Sequence, residues 1–245
     1  MPRSRTLRRI LHPLTGLGTA IALALAVLGA APAAAAAGQQ DATRIMPLGD
    51  SITGSPGCWR ALLWDALRES GHTGLDFVGT LPPQGCGIDH DGDNEGHGGY
   101  LVTNVANQGL LVGWLQATDP DVVLMHFGTN DVWSGIPTAT ILDAYGTLVA
   151  QMRAHNSEMR ILVAQIIPMD PARSCAGCGD GVQRLNAAIP DWAAAENTPE
   201  SPVIVVDQWT GFDTGAHTYD GVHPNAAGDR LIAERWFPAL TSVLG

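Results

Sequence analysis

Basic residues are scarce in this chain, which has 13 Lys and Arg but 24 Asp and Glu among its 245 residues. Four of the basic residues, Arg3, Arg5, Arg8 and Arg9, lie at the extreme N-terminus, whereas no acidic residue precedes position 38. Beyond residue 37 there remain 9 basic and 24 acidic residues, a formal net charge of −15. Binding to nucleic acid or to anionic lipid needs clustered positive charge. The composition therefore argues against both as partners.

A long apolar run is also lacking. The most hydrophobic early segment, Leu17–Leu28, has about 12 residues, fewer than the roughly 20 that a membrane-spanning helix needs. It follows the basic head and precedes the small residues Ala31–Ala37, which is the order of a secretory signal peptide. We therefore predict a signal peptide over residues 1–37, followed by one extracellular domain over residues 38–245 that makes no membrane contact.

Cysteines are few, and all four lie in the predicted exported part. An even number in an exported chain predicts two disulfides. Of the three possible pairings we favour Cys58–Cys86 and Cys175–Cys178, since each would close a single loop region. The second pair could instead be half of a zinc site or a redox motif. Because no further Cys or His pair accompanies it, the structural disulfide is preferred, and neither a metal nor a cofactor is expected.

Internal repeats and low-complexity linkers are absent beyond residue 40, which indicates a single domain. Short apolar runs alternate with amphipathic helical patterns, and this alternation predicts parallel strands joined by right-handed crossovers. The expected fold class is α/β, a three-layer α/β/α sandwich with a five-stranded parallel sheet in the flavodoxin-like order 2-1-3-4-5. The predicted strands are Arg44–Leu48, Asp76–Gly79, Asp121–Phe127, Arg160–Ile166 and Val203–Val206, and the predicted helices are Trp59–Ser70, Val102–Ala117, Thr138–His155, Asp180–Glu196 and Asn225–Val243.

Polar residues follow four of these strands and should meet at one edge of the sheet. Ser51 follows the first strand, Gly99 lies in the loop after the second, Asn130 follows the third, and Asp220 and His223 lie in the loop after the fifth. Ligands bind outside the carboxyl ends of strands in open α/β sheets. The four clusters therefore predict one functional site.

Three of these side chains are those that acyl transfer needs. A serine hydroxyl is a weak nucleophile unless an imidazole takes its proton, and the imidazole needs a carboxylate to fix its tautomer. We predict Ser51 as nucleophile, His223 as base and Asp220 as its partner. The oxyanion would be bound by the backbone N–H groups of Ser51 and Gly99 and by the side-chain amide of Asn130. His217, in the same loop as His223, is a less favoured base.

The four clusters, GDS at residues 49–51, Gly99, GTND at 128–131 and DGVHP at 220–224, resemble in order the motif blocks of the SGNH (GDSL-type) hydrolase superfamily. The resemblance covers nearly all of the predicted mature chain and implies the residue roles given above. The Gly-x-Ser-x-Gly elbow of α/β-hydrolases is missing. With the segments RIMPLGDSIT, DFVGT and DNEGHGGY, the chain looks most like carbohydrate esterase family three, whose members are acetyl xylan esterases.

The resemblance implies a secreted serine esterase that hydrolyses short-chain acetyl esters on xylan or a related polysaccharide. One alternative is a lipase, arylesterase or thioesterase with other acyl substrates. A more distant alternative is a carbohydrate-binding protein without catalytic activity on the same scaffold. A monomer is expected in each case.

Several other residues have a functional and a plainer interpretation. Trp133 and Trp209 could stack on sugar rings at the rim of the site, or simply pack against the fold. The run Asp89–Glu95 is dense in oxygen ligands that suit calcium, although it does not match the twelve-residue calcium loop. A solvated acidic loop is preferred there. Asp50 and Asp131 are interpreted as scaffold residues whose carboxylates hold the turns.

Overall fold

The computed structural model describes residues 42–244, so the predicted signal peptide lies outside the described residues. Within this range the strands are β1 (Thr43–Gly49), β2 (Leu75–Phe77), β3 (Glu95–Gly96), β4 (Val122–His126), β5 (Arg160–Gln165) and β6 (Val203–Asp207). The helices are α1 (Ser51–Gly54), α2 (Trp59–Glu69), α3 (Val102–Gln108), α4 (Leu110–Thr118), α5 (Thr129–Trp133), α6 (Thr138–His155), α7 (Cys178–Glu196), α8 (Thr214–His217) and α9 (Ala226–Leu244).

The sheet is parallel and has the order β2-β1-β4-β5-β6, with the two-residue β3 pairing separately to β1. Counting only the five predicted strands, this is the order 2-1-3-4-5, and the predicted α/β/α fold is confirmed. The short β3 was not predicted, because two residues are too few to produce a recognisable alternation.

Every residue of β4 is buried, because helices cover both faces of the sheet. Val123 and Met125 face a hydrophobic cluster built with α3, α4, α6 and α7, while Val122 and Leu124 face a second cluster built with α2 and α9. Burial on both faces explains why the strand is apolar at consecutive positions rather than at alternate ones.

The helix predicted over Val102–Ala117 is wrong as a single element. The chain forms two helices, α3 and α4, which meet at Gly109. Gly109 has a φ of 63°, a left-handed conformation that ends a helix and that glycine adopts without steric cost. Apolar spacing continues through this point, so hydrophobic periodicity alone does not reveal the break.

Within residues 42–244, no helix combines the length and the apolarity required to cross a membrane.

Candidate active site

Ser51 lies at the point where β1 turns into α1, at the carboxyl edge of the sheet. Gly49 ends the strand so close to the carbonyl oxygen of His126 that a Cβ would collide with it. Asp50 is the N-cap of α1, and its Oδ1 accepts the N–H of Ile52 at 3.0 Å. The sharp turn leaves Ser51 half-buried, at the surface of an otherwise buried segment.

Burial raises the pKa of the Asp50 carboxyl to about 6, opposed by the hydrogen bond from the N–H of Ile52. The side chain is completely buried, and its Oδ1 is engaged by the backbone of the turn itself. Its contacts fit the scaffold interpretation made from the sequence.

The structure brings Ser51 together with His223 and Asp220, although 172 residues separate the serine from the histidine. The Ser51 Oγ lies 2.8 Å from His223 Nε2, and His223 Nδ1 lies 2.7 Å from Asp220 Oδ2. The other carboxylate oxygen, Oδ1, accepts the backbone N–H groups of Val222 at 2.9 Å and His223 at 2.7 Å. With the Nδ1 proton held by the carboxylate, Nε2 has a lone pair available for the serine proton.

The environment of Asp220 keeps it ionised. Partial burial raises its pKa, but the hydrogen bonds from the His223 ring and from the N–H groups of His223 and Val222 outweigh that effect and lower the pKa below its ordinary value. At neutral pH the carboxylate is therefore charged. It can stabilise a positive charge on the imidazole.

Two of the predicted oxyanion donors, Gly99 and Asn130, follow strands that pair with β1 in parallel and therefore lie at the same edge of the sheet as Ser51. A Cβ on Gly98 would lie 3.8 Å from the Cβ of Ser51, so the loop that contains Gly99 passes directly beside the serine. Gly99 has a φ of 80°, which requires glycine-like freedom at this turn. The side-chain amide of Asn130 donates one hydrogen to the Tyr100 carbonyl at 3.0 Å, and its second N–H remains available to a ligand.

Asp131 ties the two donor segments together. Its Oδ2 accepts the N–H of Val102 at 2.8 Å, and its Oδ1 accepts the N–H and the hydroxyl of Thr103 at 3.1 and 2.6 Å. These residues begin α3, just after the Gly99 loop, whereas Asp131 follows Asn130 in α5. The completely buried carboxylate therefore fixes Asn130 relative to Gly99.

A second buried carboxylate, that of Glu95, supports the loop that contains Gly99. This supporting role was not predicted from the sequence. Glu95 is fully buried and accepts the N–H and the hydroxyl of Thr80, each at 2.7 Å, and it pairs with His97 Nε2 at 2.6 Å. The His97 ring stacks between Tyr100 and Trp114, with centroid distances of 4.8 and 4.3 Å. This arrangement holds the backbone immediately before Gly98 and Gly99.

These contacts argue against calcium binding by Asp89–Glu95. Besides the engagement of Glu95, Asp91 Oδ2 accepts the N–H of Phe77 at 2.9 Å. Burial raises the pKa of Asp91 and of Asp93. Across residues 42–244, no group of three or more His, Cys, Asp or Glu side chains is arranged to hold a metal ion.

The two favoured disulfides are both present, Cys58–Cys86 with a Cα separation of 5.5 Å and Cys175–Cys178 with one of 5.1 Å. The disulfide leaves neither Cys175 nor Cys178 with a thiolate that could bind zinc. His217, the rival base, accepts the N–H of Asp213 at its Nδ1 and contacts the Phe212 ring instead of approaching Ser51.

The aromatic residues near the site differ in their surroundings. Trp133 is 45% exposed and lines a surface cavity. Trp209 is partly buried and packs against the hydrophobic cluster that contains α6 and α7, as the plainer interpretation expects. Tyr219, which the sequence did not single out, is 60% exposed and stacks on the His223 ring at 5.8 Å. The sequence could have pointed to Tyr219 only through its position, four residues before His223 in the same loop.

Residues 48–231 match the model of the GDSL-like Lipase/Acylhydrolase family. A carbohydrate esterase family 3 structure from Talaromyces cellulolyticus is 34% identical, with a TM-score of 0.73 and coverage of 82% of this chain and 97% of that chain. A crystal structure of an acetyl esterase mutant with an acetate ion has the same identity, TM-score and coverage. A multidomain esterase from Ruminococcus flavefaciens is 26% identical over 261 residues, covering 98% of this chain and 33% of that protein. The chain thus spans about a third of the length of this curated relative.

Proposed function

We propose that this chain, which belongs to the GDSL-like Lipase/Acylhydrolase family and is a carboxylic-ester hydrolase, removes acetyl groups from a carbohydrate with Ser51 as its nucleophile. The family predicted from the four sequence motifs is the one that the comparisons give. The observation that carries the proposal is the continuous contact from Ser51 Oγ through the His223 ring to the Asp220 carboxylate.

In the first step, Ser51 Oγ attacks the ester carbonyl carbon while His223 Nε2 takes the hydroxyl proton. The negative charge that develops on the carbonyl oxygen accepts hydrogen bonds from the N–H groups of Ser51 and Gly99 and from the Asn130 amide. Removing one such donor typically costs about 10²–10³ in turnover. The hydrogen bonds by which Asp131 holds the Asn130 and Gly99 segments together support the proposal that these donors are positioned before the substrate binds.

In the second step, the protonated His223 gives its proton to the leaving sugar oxygen, and the carbon–oxygen bond of the ester breaks. This leaves an acetyl group on Ser51. Water then attacks the acetyl carbonyl as His223 takes a proton from it, and collapse of the intermediate releases acetate and restores the serine hydroxyl. Asp220 stays ionised throughout and stabilises the imidazolium.

The acetyl group and the carbohydrate are supported by two similar proteins of known structure, an acetyl esterase and a carbohydrate esterase of family 3. We propose acetylated xylan or a related polysaccharide as substrate. The two disulfides suit an oxidising compartment and therefore support secretion. The signal peptide over residues 1–37 and the monomeric state stay predictions.

The test is release of acetate from acetylated xylan, measured beside triacetin, tributyrin and an aryl acetate. We expect acetyl substrates to be hydrolysed and turnover to fall steeply with acyl length, because no long apolar lid is evident in the sequence. Ser51→Ala should lose turnover of all of them. A preference for long acyl chains would instead favour the lipase alternative, and turnover by Ser51→Ala would refute the proposed nucleophile.

A further inference from the structure

A cavity of about 310 Å³ opens beside the helix that carries Asn130. One wall is formed by the end of α5 and the residues after it, 132–138, and the other by the Cys175–Cys178 loop and the first two turns of α7. The volume lies at the lower end of the range for ligand-binding pockets, and an acetyl group would fill only a small part of it. The cavity is therefore suited to the alcohol side of the ester.

Both walls are continuous with the segments that carry the proposed catalytic residues. Trp133 lies three residues after Asn130, about 4.5 Å further along the helix axis. On the other side, the N–H of Asp170 donates to the Gly221 carbonyl at 2.8 Å, and a Cβ on Gly221 would meet the Arg173 side chain. The segment that leads to the disulfide thus packs against the loop that carries His223.

Arg184 places a positive charge in this cavity. Its side chain folds back along α7, so that Nη2 lies 4.0 Å from the position that a Cβ would take on Gly181. Asp180 lies one turn earlier, at the spacing that favours ion pairs, yet in the described part of the chain no acidic side chain forms an ion pair with Arg184. Because it lacks such a partner there, the guanidinium is available for a ligand. A free positive charge is notable in a chain whose formal net charge is −11.

The remaining lining supplies an apolar surface. The exposed indole of Trp133 shares the cavity with Ile136 and Pro137. Aromatic and aliphatic surfaces cover the C–H faces of sugar rings by apolar contact, while a guanidinium matches the two oxygens of a carboxylate. The combination fits a sugar ring that carries a carboxylate.

We propose that this cavity binds a uronic-acid residue of the substrate, with Arg184 pairing with its carboxylate and Trp133 covering its ring. The proposal rests on the proposed function, because it assigns the cavity to the alcohol side of the hydrolysed ester. It names the substrate class as an acetylated polysaccharide with acidic branches. Arg184 is then a specificity-determining residue for acidic over neutral chains.

The test compares acetylated xylo-oligosaccharides that carry a glucuronic-acid branch with unbranched ones of equal length. For Arg184→Gln, the ratio of kcat/KM for the acidic over the neutral substrate should fall about tenfold to hundredfold, the usual worth of a hydrogen-bonded charge. Arg68→Gln changes an exposed arginine at the end of α2, a helix that packs in the other hydrophobic cluster from α7, and as the matched control it should leave the ratio unchanged. An unchanged ratio in Arg184→Gln would overturn the proposal.

A second measurement uses the wild-type chain and does not depend on how the variant folds. Deacetylated oligosaccharides should inhibit aryl acetate hydrolysis competitively, the branched acidic one more strongly than the neutral one, and added salt should remove the difference. Equal inhibition by both would refute the uronic-acid site while leaving the esterase itself intact. Absence of aryl acetate turnover in the wild type would refute the proposed function instead.

Discussion

Asp220→Asn is the most discriminating change in the proposed catalytic centre, because it alters one group and preserves the shape of the side chain. Oδ1 of Asp220 accepts two backbone N–H groups, and Oδ2 accepts the Nδ1 proton of His223. An asparagine has one acceptor oxygen and one donor nitrogen. If its oxygen keeps the backbone N–H groups, its NH₂ faces Nδ1. The imidazole must then carry its proton on Nε2, where it faces Ser51 and cannot act as a base.

The magnitude follows from these contacts. Restoring the active tautomer requires the amide to flip and to give up two backbone hydrogen bonds, about 2–3 kcal/mol together. Loss of the carboxylate charge, 2.7 Å from Nδ1, removes about 1.5 kcal/mol of attraction to the imidazolium even at the dielectric constant of water, an appropriate choice for a side chain that is 40% exposed. The sum of about 4 kcal/mol corresponds to a loss of about 10³-fold in kcat.

The assay compares two variants, Asp220→Asn and Asp220→Ala, in their turnover of an aryl acetate and in their thermal unfolding. The alanine variant leaves Nδ1 open to water, so either tautomer can form, but it removes the acceptor for both backbone N–H groups. We therefore expect Asp220→Asn to be the less active and the more stable of the two. Activity of Asp220→Asn within tenfold of the wild type, or above that of Asp220→Ala, would refute the reasoning about the tautomer.

Three further changes test the scaffold. Asp131→Ala leaves three buried donors without their acceptor and should lower the free energy of unfolding by about 3 kcal/mol or more in urea titrations; a loss below about 1 kcal/mol would contradict the role given to this carboxylate. Burial raises the pKa of Asp50 to about 6, whereas the same carboxyl in the unfolded chain loses its proton near pH 4. Between about pH 4 and pH 6 the folded state therefore binds the proton more tightly than the unfolded state, and the free energy of unfolding falls as the pH rises. Asp50→Asn should therefore exceed the wild type by up to about 3 kcal/mol above pH 7 and match it below about pH 4, and a gap that does not change with pH would refute this. Cys58→Ser with Cys86→Ser opens a loop with a sequence separation of 28 and should cost about 3–4 kcal/mol in the same titration; a variant as stable as the wild type would show that the bond does not constrain the unfolded chain.

The sheet and the proposed site were predictable because both depend on local patterns that the topology rules connect. Apolar runs such as β4 identify buried parallel strands, and the carboxyl ends of such strands meet at one edge. Ser51 and His223 could therefore be placed together across most of the chain. Their separation in sequence did not matter once the strand order was fixed.

The misinterpreted features depend on contacts that no local pattern reveals. Glu95 belongs to a run that was interpreted as a solvated acidic loop, yet its carboxylate is fully buried and accepts two hydrogen bonds from Thr80, fifteen residues earlier in the chain. Tyr219 is an ordinary loop residue until its ring is found on the His223 imidazole. The break at Gly109 lies inside a continuous apolar pattern, and only the left-handed backbone conformation distinguishes it.

Covalent labelling by a serine-directed organophosphonate tests the central claim most directly, because it reports the nucleophile itself. Peptide mapping of the labelled wild-type chain should place one phosphonyl group on Ser51, and His223→Ala should slow its attachment by orders of magnitude while Arg68→Gln reacts at the normal rate. A label on another residue, or none on a chain that still hydrolyses aryl acetate, would contradict the assignment of Ser51 as the activated nucleophile.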